Sequence, residues 1–512
     1  MSVQDTQQAA MTLADHLPLL QVLVPFMAAP LIVVIGARRL AWGIAFAASL
    51  ASAGIALAIL LQVLDSGMIS YHIGGWVPPL GIEYRIDAAN AIVLLLIASV
   101  STVVLPFAAR SVAAEIARKH QTLFYAMWLL CLAGLLGMVA TGDAFNVFVF
   151  LEVSSLSTYV LVSMGARRDK RALTAAYDYL IMGTIGATFF VIGIGFLYAA
   201  TGTLNMADMA AIIRENGADR TIQTAFAFIV VGMGLKVAVY PLHLWLPNAY
   251  TYAPSVVSAF LGGTATKAAI YVLMRFMFTV FRPEFLFEVR ALDLIMVPLA
   301  LVAMFAGSII AIFQRDMKRM LAYSSIAQIG YILLGIGFLT ETGLSAAVIH
   351  LFNHGITKAA LFMGAGALIF RSGSSFYRSL EGLGRTMPFT GFAIVIAGLS
   401  LIGVPGTAGF ISKWLLVQAA IEKGWWPIAL AVVASSLLAV IYVWRVVEVL
   451  YMKEPKSAGT RDEAPVSMLV PLWIAAAATV YFGFATELTL GAAQSAADSL
   501  MSGFSPVHAG GG

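Results

Sequence analysis

A handful of ionisable side chains stand inside stretches that are otherwise apolar. Glu152 lies within "FNVFVFLEVSSLSTYVLV", Lys236 within "GLKVAVYPLHLWLP", Lys267 within "GGTATKAAIYV" and Lys413 within "GFISKWLLVQ". In "VIHLFNHGITKAALFM", His350, His354 and Lys358 follow one another at intervals of four, which on an α-helix lines them along one face over about 12 Å. A charge at bilayer depth costs roughly 2.5 to 3.5 kcal/mol on insertion scales, so it is kept where it faces protein or water. Glutamate, lysine and histidine can exchange protons without help from a cofactor, and histidine titrates near neutral pH. For Glu152 and Lys236, burial disfavours both charged forms and mutual approach restores them. A pair that opens and closes would therefore swing the lysine between holding and releasing a proton.

Each of these residues also has a plainer reading. Glu152 serves as a structural partner for a buried lysine in that view, and a histidine on an apolar face is usually a satisfied core residue. Two facts favour a proton path: three ionisable groups share one stripe, and glutamine would replace a lone carboxylate if only hydrogen bonding mattered. Secondary candidates follow from position. His243 stands beside Pro241, which removes a backbone donor and marks a helix break. Ser155 and Tyr159 share the helical face of Glu152, and Ser324 and Ser325 in "LAYSSIAQIG" are placed to hold water. Asp143 reads equally as a helix cap or as a proton uptake or release group. Arg275 is expected to snorkel to an outer interface.

The elements that must position these groups are membrane helices. Of 512 residues, 61% are hydrophobic and 11% charged, which no soluble domain of this size could bury. Runs of about 20 apolar residues predict an all-α polytopic membrane protein with fourteen spans. Their approximate limits are 17–36, 40–62, 88–108, 121–140, 143–164, 175–200, 222–246, 254–278, 294–314, 321–339, 343–369, 388–422, 427–450 and 466–486. The first reads as a retained helix rather than a cleaved leader. The eleventh and twelfth are long enough to be tilted or broken, and Pro405, Gly406 and Gly409 interrupt the twelfth shortly before Lys413. Two Gly/Pro-broken spans, each with a buried lysine, are the sequence pattern of an inverted-repeat transporter with its ion path at mid-membrane.

Of the thirty lysines and arginines, nineteen fall in loops on one side of this arrangement, six on the other and five inside spans. The positive-inside rule then puts both termini outside the cytoplasm. The net charge of +4 follows from topology and calls for no nucleic-acid partner. The single cysteine, Cys131, excludes a disulfide framework and a thiolate metal or iron–sulfur site, and no metal or other cofactor is expected. The longest polar connections, near 63–87, 201–221 and 451–465, are too short for a soluble catalytic module.

Six segments together resemble a known family: "LEVSSLSTYVLV", "GLKVAVYPLHLWLPNAYTYAPS", "TATK", "LAYSSIAQIGY", "HGITKAALF" and "GFISKW". In this order they are similar to the antiporter-like subunits shared by respiratory complex I and the multisubunit Mrp-type cation/proton antiporters, over roughly residues 90–450. "NAYTYAPS" and the overall length are most similar to the D-type subunit of the Mrp antiporters. Asn248 stands where complex I relatives usually carry an aspartate. The resemblance implies three N-terminal helices (1–120), two inverted five-helix repeats (121–280 and 281–453), each with a broken helix, and a last helix and tail (454–512). It further implies that Glu152 and Lys236 form a switching pair, that Lys267, His350, His354 and Lys358 form a central hydrophilic axis, and that Lys413 is the terminal lysine.

The leading expectation is a proton-translocating subunit of a multisubunit Na+ (cation)/H+ antiporter in a bacterial inner membrane, partnered by other membrane subunits and without a catalytic centre of its own. The alternative is a proton-pumping arm of a redox complex such as complex I or a membrane-bound hydrogenase. A non-conducting scaffold is a third reading, and the intact set of buried charges argues against it.

Overall fold

The structure is a computed structural model that describes residues 13–289, 292–454 and 462–502. Arg290, Lys456 and Arg461, counted above for topology, lie outside the described residues, as do both termini. Two helices, α1 (Leu17–Ile35) and α2 (Arg38–Ser66), lead into an antiparallel hairpin of β1 (Ile69–His72) and β2 (Glu83–Ile86), in which Ile69 faces Ile86 and His72 faces Glu83. The helices α3 (Ala88–Glu115), α4 (Gln121–Ala140), α5 (Ala144–Ser163) and α6 (Arg171–Thr201) follow, then the short α7 (Met206–Asn216). Next come α8 (Arg220–Val237), α9 (Trp245–Tyr252), α10 (Ser255–Gly263), α11 (Ala265–Arg275) with a π-helical turn at Phe276–Val280, and α12 (Arg282–Val289). The second half holds α13 (Val297–Ile312), α14 (Met317–Gly337), α15 (Glu341–Ser372), the single turns α16 (Tyr377–Leu380) and α17 (Leu383–Thr386), α18 (Pro388–Ile402), α19 (Ala408–Glu422), α20 (Trp426–Val447), α21 (Val466–Phe484) and α22 (Glu487–Ser502).

Starts of these helices are written in the sequence. Asp87 caps α3 and, with Asn90, closes a capping box; Asp143, Asn205, Asp219, Asp316 and Thr340 cap α5, α7, α8, α14 and α15 through side-chain oxygens. Asp143 is thus a cap of α5, accepting from the Asn146 amide at 2.7 Å.

All fourteen expected spans fall on helices. Among the described residues, twelve helices are long and apolar enough to cross a membrane, thirteen if the pair Tyr377–Thr386 and Pro388–Ile402, bent by 110°, counts as one. The shortfall from fourteen has a physical source. α15 is 32 residues long but carries the His350–Lys358 row, which dilutes its apolarity, and α19 has only 15 residues because the chain breaks before it. α15 is one continuous helix rather than a broken one. It packs against α3, α10, α14, α18, α19, α21 and α22 and so forms the molecular centre. The amphipathic α22, absent from the sequence reading, buries Ala492, Ala493, Ala496, Ala497 and Leu500 against this group.

Three breaks interrupt the core. α8 ends where Ala238 takes a left-handed conformation (φ 63°), three residues before Pro241. Thr264 separates α10 from α11 with φ −127° and ψ −57°. Between α18 and α19, Gly403 and Gly406 adopt φ of 90° and 84° around Pro405, conformations that disfavour any side chain. Each break frees carbonyls that need donors inside the protein.

Candidate functional site

At two of these breaks, α10–α11 and α18–α19, open carbonyls receive lysines. Lys267 Nζ donates to the Gly262 carbonyl at 2.5 Å, in the last turn of α10. Lys413 Nζ donates to the carbonyls of Leu401 (3.1 Å) and Ile402 (2.8 Å), which end α18. A cation is favoured at a helix C-terminus, where the backbone dipoles present partial negative charge. Lys413 also sits 4.7 Å from the centroid of the Tyr331 ring. Lys358 Nζ binds the Leu321 carbonyl at 2.8 Å and Ser324 Oγ at 2.5 Å. None of these three has a carboxylate within ion-pair distance among the described residues.

Lys236 is held differently. Its Nζ donates to Ser155 Oγ at 2.8 Å and lies 3.6 Å from Glu152 Oε1, an ionic contact too long for a hydrogen bond. The lysine side chain is 6% exposed and the glutamate 27%, so the carboxylate sits toward the edge of the helix packing. Tyr159 packs edge-on to Tyr179 at 4.8 Å over Gly183. A side chain at Gly183 would place Cβ 2.0 Å from Tyr159 Oη and 3.5 Å from Lys236 Nζ, so only glycine fits. A cavity of about 30 Å³, large enough for a water, lies between Lys236 and Ala265 and Ala269, the residues two before and two after Lys267.

Along α15, His350 is clamped: Nδ1 is 2.7 Å from Ser412 Oγ and Nε2 2.9 Å from Gln328 Oε1. His354 stacks 6.0 Å from it, and neither of its buried ring nitrogens has a hydrogen-bond partner among the described residues. Lys267, Lys358, His350 and Lys413 all lie within electrostatic reach of His354. The structure thus brings Glu152, Ser155 and Lys236 together as one group, and Lys267, His350, His354, Lys358, Ser324 and Lys413 as another. Besides Asp143, which caps α5, two sequence candidates stay outside both groups. His243 stacks on Tyr240 at 4.8 Å in the turn after α8, with its Nδ1 unpaired, and Ser325 bonds back to Leu321 O on its own helix.

Arg275 corrects an expectation. It is 3% exposed rather than snorkelling, and Nη2 meets Asp87 Oδ1 at 2.7 Å while Nε donates to Tyr271 Oη at 2.9 Å. Ser499 of α22 donates to the other Asp87 oxygen at 2.9 Å. Position along the sequence could not reveal this cluster, because Asp87 lies 188 residues from Arg275 and 412 from Ser499. Gln328 and Ser412 were also missed, though a signal existed: Ser324 and Gln328 are four apart on α14 and face Lys358 and His350 on α15.

Basic loop residues gather at one end of the bundle. Arg168, Arg171, Lys318 and Arg319, from loops assigned to one side, line a single cavity of about 360 Å³. At the opposite end the hairpin is tied to the α4–α5 and α6–α7 connections, with the Gly142 amide on Glu83 O (2.8 Å) and Asn205 Nδ2 on Glu83 Oε2 (2.9 Å).

Residues 141–439 match the family described as NADH:quinone oxidoreductase/Mrp antiporter, TM. The chain is 40% identical over 498 residues to the N-type subunit of the NADH-quinone oxidoreductase of Desulforudis audaxviator, covering 92% of this chain and 96% of that protein. It is 30% identical to the D-type subunit of the Na(+)/H(+) antiporter of Alkalihalophilus pseudofirmus, covering 92% and 94%. Among solved structures, a chain of the Mrp complex from Dietzia sp. superposes with a TM-score of 0.87 at 27% identity, covering 96% of this chain and 98% of that one.

Proposed function

Because this chain belongs to the NADH:quinone oxidoreductase/Mrp antiporter transmembrane family, we propose that it is a proton-translocating membrane subunit of a multisubunit Na+ (cation)/H+ antiporter. The observation that carries this reading is the succession of protonatable groups across the core: the Glu152–Lys236 contact, the axis of Lys267, His354, Lys358 and His350, and Lys413 at the second break. Protons pass from Lys236 by way of water in the adjoining cavity toward Lys267, and along α15 by way of His354, where one ring nitrogen accepts from a water and the other N–H donates to one. The switching step belongs to Glu152 and Lys236. Their 3.6 Å separation supports a contact that tightens and releases rather than a locked hydrogen-bonded pair.

In this reading 121–280 and 281–453 are inverted repeats, and the breaks after α8 and α18 correspond. Lys236 precedes its break by two residues while Lys413 follows its own and binds back across it. The subunit sits in a bacterial inner membrane with both termini outside the cytoplasm, bound to further membrane subunits.

A second reading, a proton-pumping arm of a redox-driven complex, is favoured by the 40% identical relative named for a quinone oxidoreductase. The transport chemistry in this chain would be the same. Mild purification from the native membrane, with mass-spectrometric identification of what accompanies the chain, separates the two. Small hydrophobic membrane subunits alone support the antiporter, whereas subunits that carry iron–sulfur or quinone sites overturn it in favour of the redox complex.

A further inference from the structure

We infer that Ser412 is a positioning residue that transmits the protonation of His350 to the helix break holding Lys413. This rests on the proton path proposed above and names the part that couples its last two stations.

Gln328 Oε1 can only accept, so the His350 Nε2 at 2.9 Å carries a hydrogen in both charge states. In the neutral ring Nδ1 is then bare and accepts from the Ser412 hydroxyl at 2.7 Å. In the charged ring Nδ1 becomes a donor. Ser412 Oγ must now accept, and its single hydrogen turns to the one other acceptor at hand, the Gly409 carbonyl at 3.2 Å. Gain of a proton at His350 therefore closes a hydrogen bond in the first turn of α19, and loss of the proton opens it. No covalent bond changes beyond the N–H formed at Nδ1.

That turn is where α19 bears on α18. A Cβ at Gly409 would meet the Ser400 carbonyl oxygen at 1.9 Å, so the two backbones touch. The Gly409 amide donates to Ser400 Oγ at 3.3 Å, and Ser400 Oγ lies 3.1 Å from Thr357 Oγ1 on α15. The residue after Ser412 is Lys413, whose ammonium rests on the Leu401 and Ile402 carbonyls of the same α18 terminus. A hydrogen bond made or lost at Gly409 thus acts on the seat of the Lys413 charge. The charged and titratable groups facing His350 are Lys413 from α19, Lys267 from α11, His354 from α15 itself and Tyr331 from α14, whose ring lies 5.6 Å away.

The test uses the assembled complex in inverted membrane vesicles, with cation-driven proton flux recorded from pH 6 to 9. Ser412→Ala removes the acceptor that the charged ring needs, so the flux profile moves to the acid side by about one pH unit. Ser412→Cys, of similar volume but a weak acceptor, moves it the same way, and Ser412→Thr, which keeps the hydroxyl, leaves it in place. Profiles of Ser412→Ala and Ser412→Cys that superimpose on the wild type overturn the inference. If His350→Gln also keeps full flux, the proton path itself fails. If His350→Gln is inactive while the Ser412 profiles stay put, only the coupling through Ser412 is lost.

Discussion

Replacing Glu152 by glutamine removes one charge and almost no volume, so its effect isolates the electrostatic switch. At 3.6 Å and an effective dielectric constant of 20, the carboxylate attracts the Lys236 ammonium by about 4.6 kcal/mol. Doubling the separation lowers this to about 2.3 kcal/mol. Opening and closing the contact therefore changes the hold on the lysine's proton by about 2.3 kcal/mol, a factor of about 50. Without the carboxylate that swing vanishes, and Lys236 keeps only Ser155 as partner. We expect Glu152→Gln to lower cation-driven proton flux at least tenfold in vesicles while subunit assembly persists, and Glu152→Asp to retain part of it. Glu152→Gln vesicles that keep more than half of wild-type flux across pH 6 to 9, with normal assembly, would refute the switch.

Two further outcomes follow from packing around these charges. Gly183→Ala drives a methyl into Tyr159 Oη and is expected to destabilise by about 1–3 kcal/mol and to slow proton flux. Tyr159→Phe, which removes the Oη that the new methyl would meet, should partly suppress the defect, and thermal melting of the purified complex reads both. Asp87→Asn strips the buried Arg275 of its carboxylate at an expected cost of about 3–5 kcal/mol. The same melting assay should show most of that loss recovered when Arg275→Met is added, and an unchanged melting midpoint in the single variant would show that the pair carries no such weight.

Much of the fold was legible because a lipid-facing helix must be apolar over its whole length, and that constraint acts locally. The fourteen intervals needed nothing beyond run length and loop charge. The axis along α15 was legible for the same reason in reverse: His350, His354 and Lys358 are conspicuous only because their neighbours are not polar. What stayed hidden were pairings between distant segments. Arg275 looks like an interfacial arginine until α3 and α22 bring Asp87 and Ser499 to it. Gln328 and Ser412 are ordinary polar residues until α14 and α19 close on the two nitrogens of His350. α22 itself escaped because its buried face is built of alanines, which give a weak apolar signal.

The manner in which the lysines are held bears on how a proton could move at all. A lysine locked to a carboxylate in a dry interior keeps its charge, because separating the pair strands two ions. Lys267 and Lys413 instead rest on carbonyls left open by helix breaks, and Lys358 on a carbonyl within α14 and a hydroxyl. Carbonyl oxygens accept from an amine as well as from an ammonium, so these seats keep a hydrogen bond in either protonation state. The charged form gains more from the helix-end dipoles, and a second lysine nearby takes that gain away. A proton arriving at one station of the axis therefore weakens the hold of the next. Among the described residues, Lys236 is the only one of the four path lysines with an acid beside it, and that contact is the one built loosely enough to open. The breaks at α10–α11 and α18–α19 are on this argument part of the conduction chemistry, since the carbonyls they leave open are the ones that Lys267 and Lys413 use.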